Sequence, residues 1–416
     1  MRWAFLACVS FGLVLTGSAQ TSRGSMAGKV FDSEGQGISA NISVYQERSV
    51  DGMPYLQQRC LVVSDSSGQF SCPLVAAGRY IVRASPIALN RKQQGSSGRT
   101  AVSSFYPGVP DLAEAEAIVV SPNRAGWAYM QVPSHAPLSI SGTLIPSAPE
   151  AAFTLMTATD GWSTDVGVLV SYDGKTGAFK AQGLMPGSYL LEADWLVNNY
   201  EHLAFVPITL GTESIQNLQV VPLANANIVG HITSATGSSN VSQILLRRVD
   251  ELRPPLRSTV KNGSFEFDDV PGGEYFIEPV AENDEYVSSI AIDGQTTDGS
   301  RFQINQEKGY TMEVAFSGPG CEVEGSVEEW DANAKAADVV AVSEETGRVY
   351  HVLTDSQRRF SIRGLRPGSY RLFAWPKSDM VPYRIASVRK KYQADSVEVN
   401  LEKGTIEEQV SLTPAE

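Results

Sequence analysis

The sequence predicts an all-β protein, a tandem array of four β-sandwich units that follows a cleavable signal peptide. Three observations carry that expectation. One cassette recurs four times along 416 residues: a strand opening on Gly-x-hydrophobic, a phenylalanine downstream, and a tyrosine ten residues beyond it. Between these positions, short runs of strand length are broken by turn residues at roughly 8–12-residue spacing, the pattern of a sandwich. The composition, 42% hydrophobic and 19% charged, supplies apolar material for packed cores and excludes a disordered chain. At roughly 100–200 residues per domain, the length suits two to four domains.

The first segment is an export signal. Arg2 supplies a positive charge, Ala4 to Leu15 is almost wholly apolar, and Gly17 and Ala19 fit the small-residue positions before a cut at Gln20. The stretch is too short for a spanning helix, and no later run approaches ~18 consecutive apolar residues. Cys8 stands too close to Arg2 to be a lipoprotein cysteine. The expected protein is exported (secreted, periplasmic or at the cell surface) and has no transmembrane span.

The cassettes open at Gly28-Lys29-Val30, Gly142-Thr143-Leu144, Gly230-His231-Ile232 and Gly325-Ser326-Val327. They close on the pairs Phe70 and Tyr80, Phe179 and Tyr189, Phe265 and Tyr275, and Phe360 and Tyr370. A glycine stands two residues before each tyrosine: Gly78, Gly187, Gly273 and Gly368. The sequences Leu184-Met185-Pro186-Gly187 and Leu365-Arg366-Pro367-Gly368 place proline and glycine as a type II turn wants them, so a positive φ is expected at Gly187 and Gly368. Before each phenylalanine a hairpin turn is expected, as in Asp65-Ser66-Ser67-Gly68 and Lys261-Asn262-Gly263. The last cassette departs from this pattern, with Arg358 where the others carry Gly68, Gly177 and Gly263. The one modest helical stretch runs from Asp111 to Ala117.

These residues resemble the bacterial carboxypeptidase regulatory-like domain family. The matching elements are the Gly-x-Val strand, the Asp-Ser-Ser-Gly-x-Phe turn and the Leu-x-Pro-Gly-x-Tyr turn. Two longer stretches also look like the multi-repeat secreted members: Phe105-Tyr106-Pro107-Gly108-Val109-Pro110-Asp111, and Arg371-Leu372-Phe373-Ala374-Trp375 with the later Lys390-Lys391-Tyr392. The resemblance covers nearly all of the chain after the signal and implies transthyretin-like β-sandwiches, a fold shared with carbohydrate-binding modules. It implies no catalytic set.

Boundaries follow the cassettes: signal peptide 1–19, then β-sandwich units at 20–137, 138–224, 225–320 and 321–416. Lys and Arg number 33 against 46 Asp and Glu, a net charge of −13, so a phosphate backbone would be repelled and nucleic acid is not expected as a partner. The acidity lies mainly in the two middle units, where a solvated surface explains it. Only four histidines exist (His135, His202, His231 and His351), and none stands in a zinc-protease motif. No nucleophile elbow and no Cys-x-x-Cys occurs. An enzyme, a metal site and a cofactor are therefore not expected. The reading is a non-enzymatic binding or scaffolding protein with a protein or glycan partner; the alternative is a carbohydrate-binding protein.

Export makes a disulfide available. Cys60 and Cys72 flank the turn at Asp65–Gly68 almost symmetrically, so the expected geometry is two facing positions of an antiparallel hairpin joined by a bond. A register shifted by one residue would leave two free thiols instead. Cys321 falls on the apolar face of its strand and reads as a buried, inert thiol. Among the tryptophans, Trp195 shares the face of its cassette's tyrosine and belongs to the core. Trp375 falls on the opposite face and Trp162 at a loop tip, which makes these two the candidates for stacking on a ligand.

Overall fold

A computed structural model describes residues 23–414 apart from 88–99, 137, 160–161, 166–167, 198–199, 235–236, 238–240, 251, 282–284, 298–300, 331–333 and 378–379. The expected signal peptide lies outside the described residues.

Each opening strand lies inside one sheet, paired on both sides. Arg23–Phe31 pairs antiparallel with Gln69–Ala76 and parallel with Ala125–Gln131. The arrangement repeats for Leu138–Leu144 with Ala178–Leu184 and Ile215–Val220. It repeats again for Asn225–Ser234 with Ser264–Pro271 and Gly309–Ser317, and for Cys321–Glu328 with Arg359–Leu365 and Thr405–Ser411. The two signatures read separately from the sequence are one cross-strand pair. Gly28 lies opposite Phe70, Gly142 opposite Phe179, Gly230 opposite Phe265 and Gly325 opposite Phe360. A Cβ on Gly230 would sit 2.0 Å from the Phe265 ring, and one on Gly325 1.7 Å from the Glu408 carbonyl oxygen. The glycine leaves room for the aromatic ring and the neighbouring strand.

The facing sheet of each cassette is built on the tyrosine strand, which pairs antiparallel with the strand after the opening one: Gly78–Pro86 with Ala40–Val50, Gly187–Val197 with Ala152–Thr159, Gly273–Ala281 with Val241–Arg248, and Gly368–Pro376 with Ala337–Ser343. Every tyrosine hydroxyl donates to the carbonyl four residues back: Tyr80 to Ala76, Tyr189 to Met185, Tyr275 to Pro271 and Tyr370 to Arg366, at 2.6–2.8 Å. This is a tyrosine corner, and it pins the crossing from one sheet to the other. The type II turn is corrected accordingly. The positive φ expected at Gly368 is present, but at 148° it lies well beyond the ~80° that turn requires, and Gly187 does not have a positive φ. The motif's purpose is to start a strand while the tyrosine ring folds back over it.

Each pair of sheets encloses one apolar cluster, and each cluster draws its residues from within one cassette: Met26 to Val132, Leu138 to Val220, Ala226 to Phe316, and Cys321 to Leu412. Cys321 is buried and free, and burial raises its thiol above the ordinary range, as an inert core cysteine requires. Trp195 is buried in the second cluster.

The expected hairpins are mostly arcs. In the first, third and fourth cassettes the strands flanking the Asp-x-x-Gly or Asn-Gly turn belong to opposite sheets; in the second, Val170–Tyr172 does pair with Ala178–Leu184. Asp65 and Asp355 hold their turns by accepting backbone N–H groups two and four residues on, at 2.8–2.9 Å. Arg358 adopts φ 67° in the slot that glycine fills elsewhere, and its guanidinium lies over the Trp330 ring at 5.3 Å. Cys60 and Cys72 are disulfide-bonded with Cα atoms 6.3 Å apart. The bond joins the two sheets of the first sandwich, because Met53–Val63 and Gln69–Ala76 lie in different sheets.

The helical expectation over 111–117 shrinks to a single 3-10 turn, Leu112–Glu114. Leu112 is used there to cap Ile81 and Phe105 in a small cluster outside the main core. A six-residue helix, Ala386–Lys391, has no counterpart in the sequence reading. Among the described residues no helix is long and apolar enough to cross a membrane.

Candidate binding surface and inter-unit node

The strands Ala40–Val50 and Met53–Val63 form a long hairpin closed by Asp51 (φ 49°) and Gly52 (φ 75°). That pair of left-handed residues makes the two-residue turn for which Asp-Gly is the favoured sequence. The tip leaves its own sandwich and seats against two others. Arg247, on the third cassette, donates to the Asp51 carboxylate at 2.9 Å and to both Glu278 oxygens at 3.1 Å. Arg384, in the fourth, donates through Nε to the Asp51 carbonyl at 2.8 Å, and its guanidinium lies 3.5 Å from the Asp51 carboxylate and 3.8 Å from Glu278. The Arg384 backbone N–H donates to the Gly52 carbonyl at 3.0 Å. Two arginine side chains, each under a tenth exposed, thus share two carboxylates at the meeting of three cassettes. The charges alternate, so each desolvated cation keeps a partner.

The node has a floor. A Cβ at residue 52 would fall 2.3 Å from the Tyr383 ring, so only glycine lets the tip lie flat on that tyrosine. Beneath Tyr383, His351 stacks at 4.8 Å, and its Nε2 lies 2.7 Å from the Asp338 carboxylate. Burial raises the Tyr383 hydroxyl's pKa, with the Asp51 carboxylate adding to the shift. Further along the hairpin, Ser49 donates to the Val381 carbonyl at 3.3 Å. These groups brace one element against another. Among the described residues there is no group of three or more His, Cys, Asp or Glu able to hold a metal.

Neighbouring cassettes also touch. Arg253 of the third pairs with Glu192 of the second at 2.5 Å, and the Arg248 guanidinium lies over the Phe205 ring at 5.4 Å.

The tryptophan expectations divide. Trp375 does point away from its cassette's core, as its position predicts, but it is 0% exposed. The segment after it folds back: Val381, Tyr383, Val388 and Tyr392 close over Trp375 and Phe373. It offers no face to a ligand, which corrects that assignment. Trp162 lies in the strand Trp162–Asp165, but its side chain is outside the described set.

Among the described side chains, the exposed tryptophan is one the sequence does not single out. Trp127 is 57% exposed and Tyr129, two residues on, is 61% exposed. Their rings lie 6.1 Å apart with planes 12° from parallel. Both stand on the outer face of the edge strand Ala125–Gln131, which alternates strictly between exposed and buried residues. Period two puts Trp127 and Tyr129 on one face of Ala125 to Gln131, but with Gly126, Ala128 and Met130 on the other the run carries no apolar/polar contrast, so only the packing of the sheet decides which face meets solvent.

No family model matches the chain, and no curated protein matches it. Solved structures that resemble it include the Bacillus anthracis TIE protein, at 12% identity over 90% of this chain and 69% of that one, with a TM-score of 0.19. BcpA, the major pilin subunit of Bacillus cereus, matches at 13% identity over 70% of this chain and 99% of that one, TM-score 0.18. The RrgB pilus protein from Streptococcus pneumoniae matches at 8% identity over 85% and 90%, TM-score 0.19. At these scores nothing about this chain's function or partners follows from them.

Proposed function

We propose that the chain is an exported, non-enzymatic scaffolding protein of the carboxypeptidase regulatory-like kind. In this reading its four sandwich domains, near 20–137, 138–224, 225–320 and 321–416, are held at fixed mutual positions in the periplasm or at the cell surface. The observation that carries it is the Asp51–Gly52 hairpin tip, which the first cassette extends to clasp Arg247 and Arg384 of the third and fourth. Contacts between sequence neighbours alone would allow an extended string, whereas a contact from first to last fixes the spacing of every surface the chain presents. The Cys60–Cys72 disulfide supports export, since such bonds persist in oxidising compartments.

Small-angle X-ray scattering of the chain tests this reading. Wild type should scatter as the folded-back arrangement, and Asp51→Arg, which sets a third positive charge against Arg247 and Arg384, should raise the radius of gyration. A wild-type profile of an extended rod, unchanged in the variant, would refute a fixed arrangement.

A further inference from the structure

We propose that the Trp127–Tyr129 face is a binding site for an extended glycan chain. The face is the outer surface of the sheet Gln69–Ala76, Arg23–Phe31 and Ala125–Gln131. The ladder sets Ala27 beside Trp127 and Lys29 beside Tyr129, with Ser71 and Gln69 next in line on the third strand. Two exposed rings are therefore flanked on one side by an ammonium, a hydroxyl and an amide, and Gln131 continues the line past Tyr129. No carboxylate stands among these positions.

That combination matches the chemistry of a pyranose. A sugar ring carries an apolar C–H face and a rim of hydroxyls, so it packs on an aromatic face while its edge makes hydrogen bonds to donors and acceptors beside it. Two exposed rings 6.1 Å apart along one strand offer an extended chain of such sugars more than one point of contact. The small Ala27 beside Trp127 leaves the indole accessible rather than walled in.

A protein partner fits less well. Two aromatic side chains bury at most ~300–500 Å² between them, whereas a stable interface needs ~800 Å² from each partner. The surrounding side chains are polar or small and extend the apolar area little. The site lies on the sheet facing away from the one that bears the Asp51 hairpin, so it does not depend on the scaffold reading.

Affinity electrophoresis of the full chain in gels containing hydroxyethylcellulose, barley β-glucan, xylan or polygalacturonate tests the proposal. At least one polymer should retard the protein. Trp127→Ala and Tyr129→Ala should each weaken retardation by roughly tenfold, the loss of one stacking contact worth about 1.4 kcal/mol. Trp127→Phe should keep part of it. All these side chains are exposed, so the melting temperature should not move, and an unchanged melting curve shows that any loss belongs to the site. No retardation by any polymer would overturn the proposal. So would retardation that survives both alanine variants, or a self-association in sedimentation that Trp127→Ala abolishes, since the face would then be an interface between copies.

Discussion

Gly325 shows how much a missing side chain can specify. It lies opposite Phe360 in the ladder and against the backbone of the parallel strand, with the Glu408 carbonyl where a Cβ would go. Gly325→Ala should cost about 1–3 kcal/mol as the strands are forced apart, seen as a lower denaturation midpoint. The tyrosines are specified as tightly. Tyr370 donates to Arg366, and burial raises its pKa, as it does for Tyr80, Tyr189 and Tyr275. A folded pKa above the unfolded value of about 10 means that the native state holds the proton after the unfolded chain has released it. The corner's stability is therefore complete below pH ~10 and declines as pH rises beyond it. Tyr370→Phe should remove one hydrogen bond, costing about 0.5–1.5 kcal/mol at neutral pH. It should also flatten the alkaline limb of a stability–pH profile; an equally steep limb in the variant would show that another group sets it. At this scale the sequence was informative because the spacing of Gly, Phe and Tyr is itself the packing rule. Trp375 was not legible: strand alternation assigned its face, but only the later fold-back of Val381 to Tyr392 decided that the face is covered.

At the level of elements, turn chemistry was legible and turn destination was not. Asp65, Gly68 and the flanking strands announce a reversal, and the structure supplies one. Local sequence does not say whether the returning strand pairs beside its predecessor or crosses to the opposite sheet, because both begin with the same hydrogen-bonded turn. The Cys60–Cys72 bond forms, but not between facing positions of a hairpin ladder: Cys60 pairs with Val44 and Cys72 with Met26, in opposite sheets, and the crossing changes the bond's effect. A bond between two sheets opposes their separation, so it clamps the first sandwich across its core. The Cys60→Ser/Cys72→Ser double variant should lose at most ~3 kcal/mol, the loop-closure value for so short a loop. Intact mass with alkylation of a chain that begins at Gln20, before and after reduction, should show one thiol without reductant and three after reduction. Three thiols without reductant would eliminate the bond. The Asp51-Gly52 hairpin belongs to the same lesson. The dipeptide announces its turn, but its docking partners lie about 200 and 330 residues away, at Arg247 and Arg384, beyond any local signal.

At the scale of the whole molecule, two kinds of contact must be separated: those that make a sandwich and those that hold sandwiches together. The core of the last cassette is closed within itself, from Cys321 to Leu412, and its outer cluster around Trp375 is covered by its own segment through Tyr392. What it receives from the first cassette is the end of the hairpin, with the tip on Tyr383 and Arg384 and Ser49 on Val381. A unit of this length can bury a core without a staple. Residues 321–416 expressed alone should therefore fold and melt in one cooperative transition. Removing the tip should uncover Tyr383 and leave Arg384 without Asp51, so the fragment should melt below the same unit in the intact chain. Asp51→Arg in the full chain should lower that unit's stability in the same direction but by less, because it removes the Asp51 carboxylate from Arg384 and leaves the core and the backbone contacts of the tip in place. Calorimetry of the fragment, the wild-type chain and the variant distinguishes the contributions. A flat, non-sigmoidal melt of the fragment would mean that the fourth core needs its neighbours. Equal melting temperatures for the fragment and the intact unit would mean that the brace sets geometry alone and contributes nothing to the stability of the unit it grips.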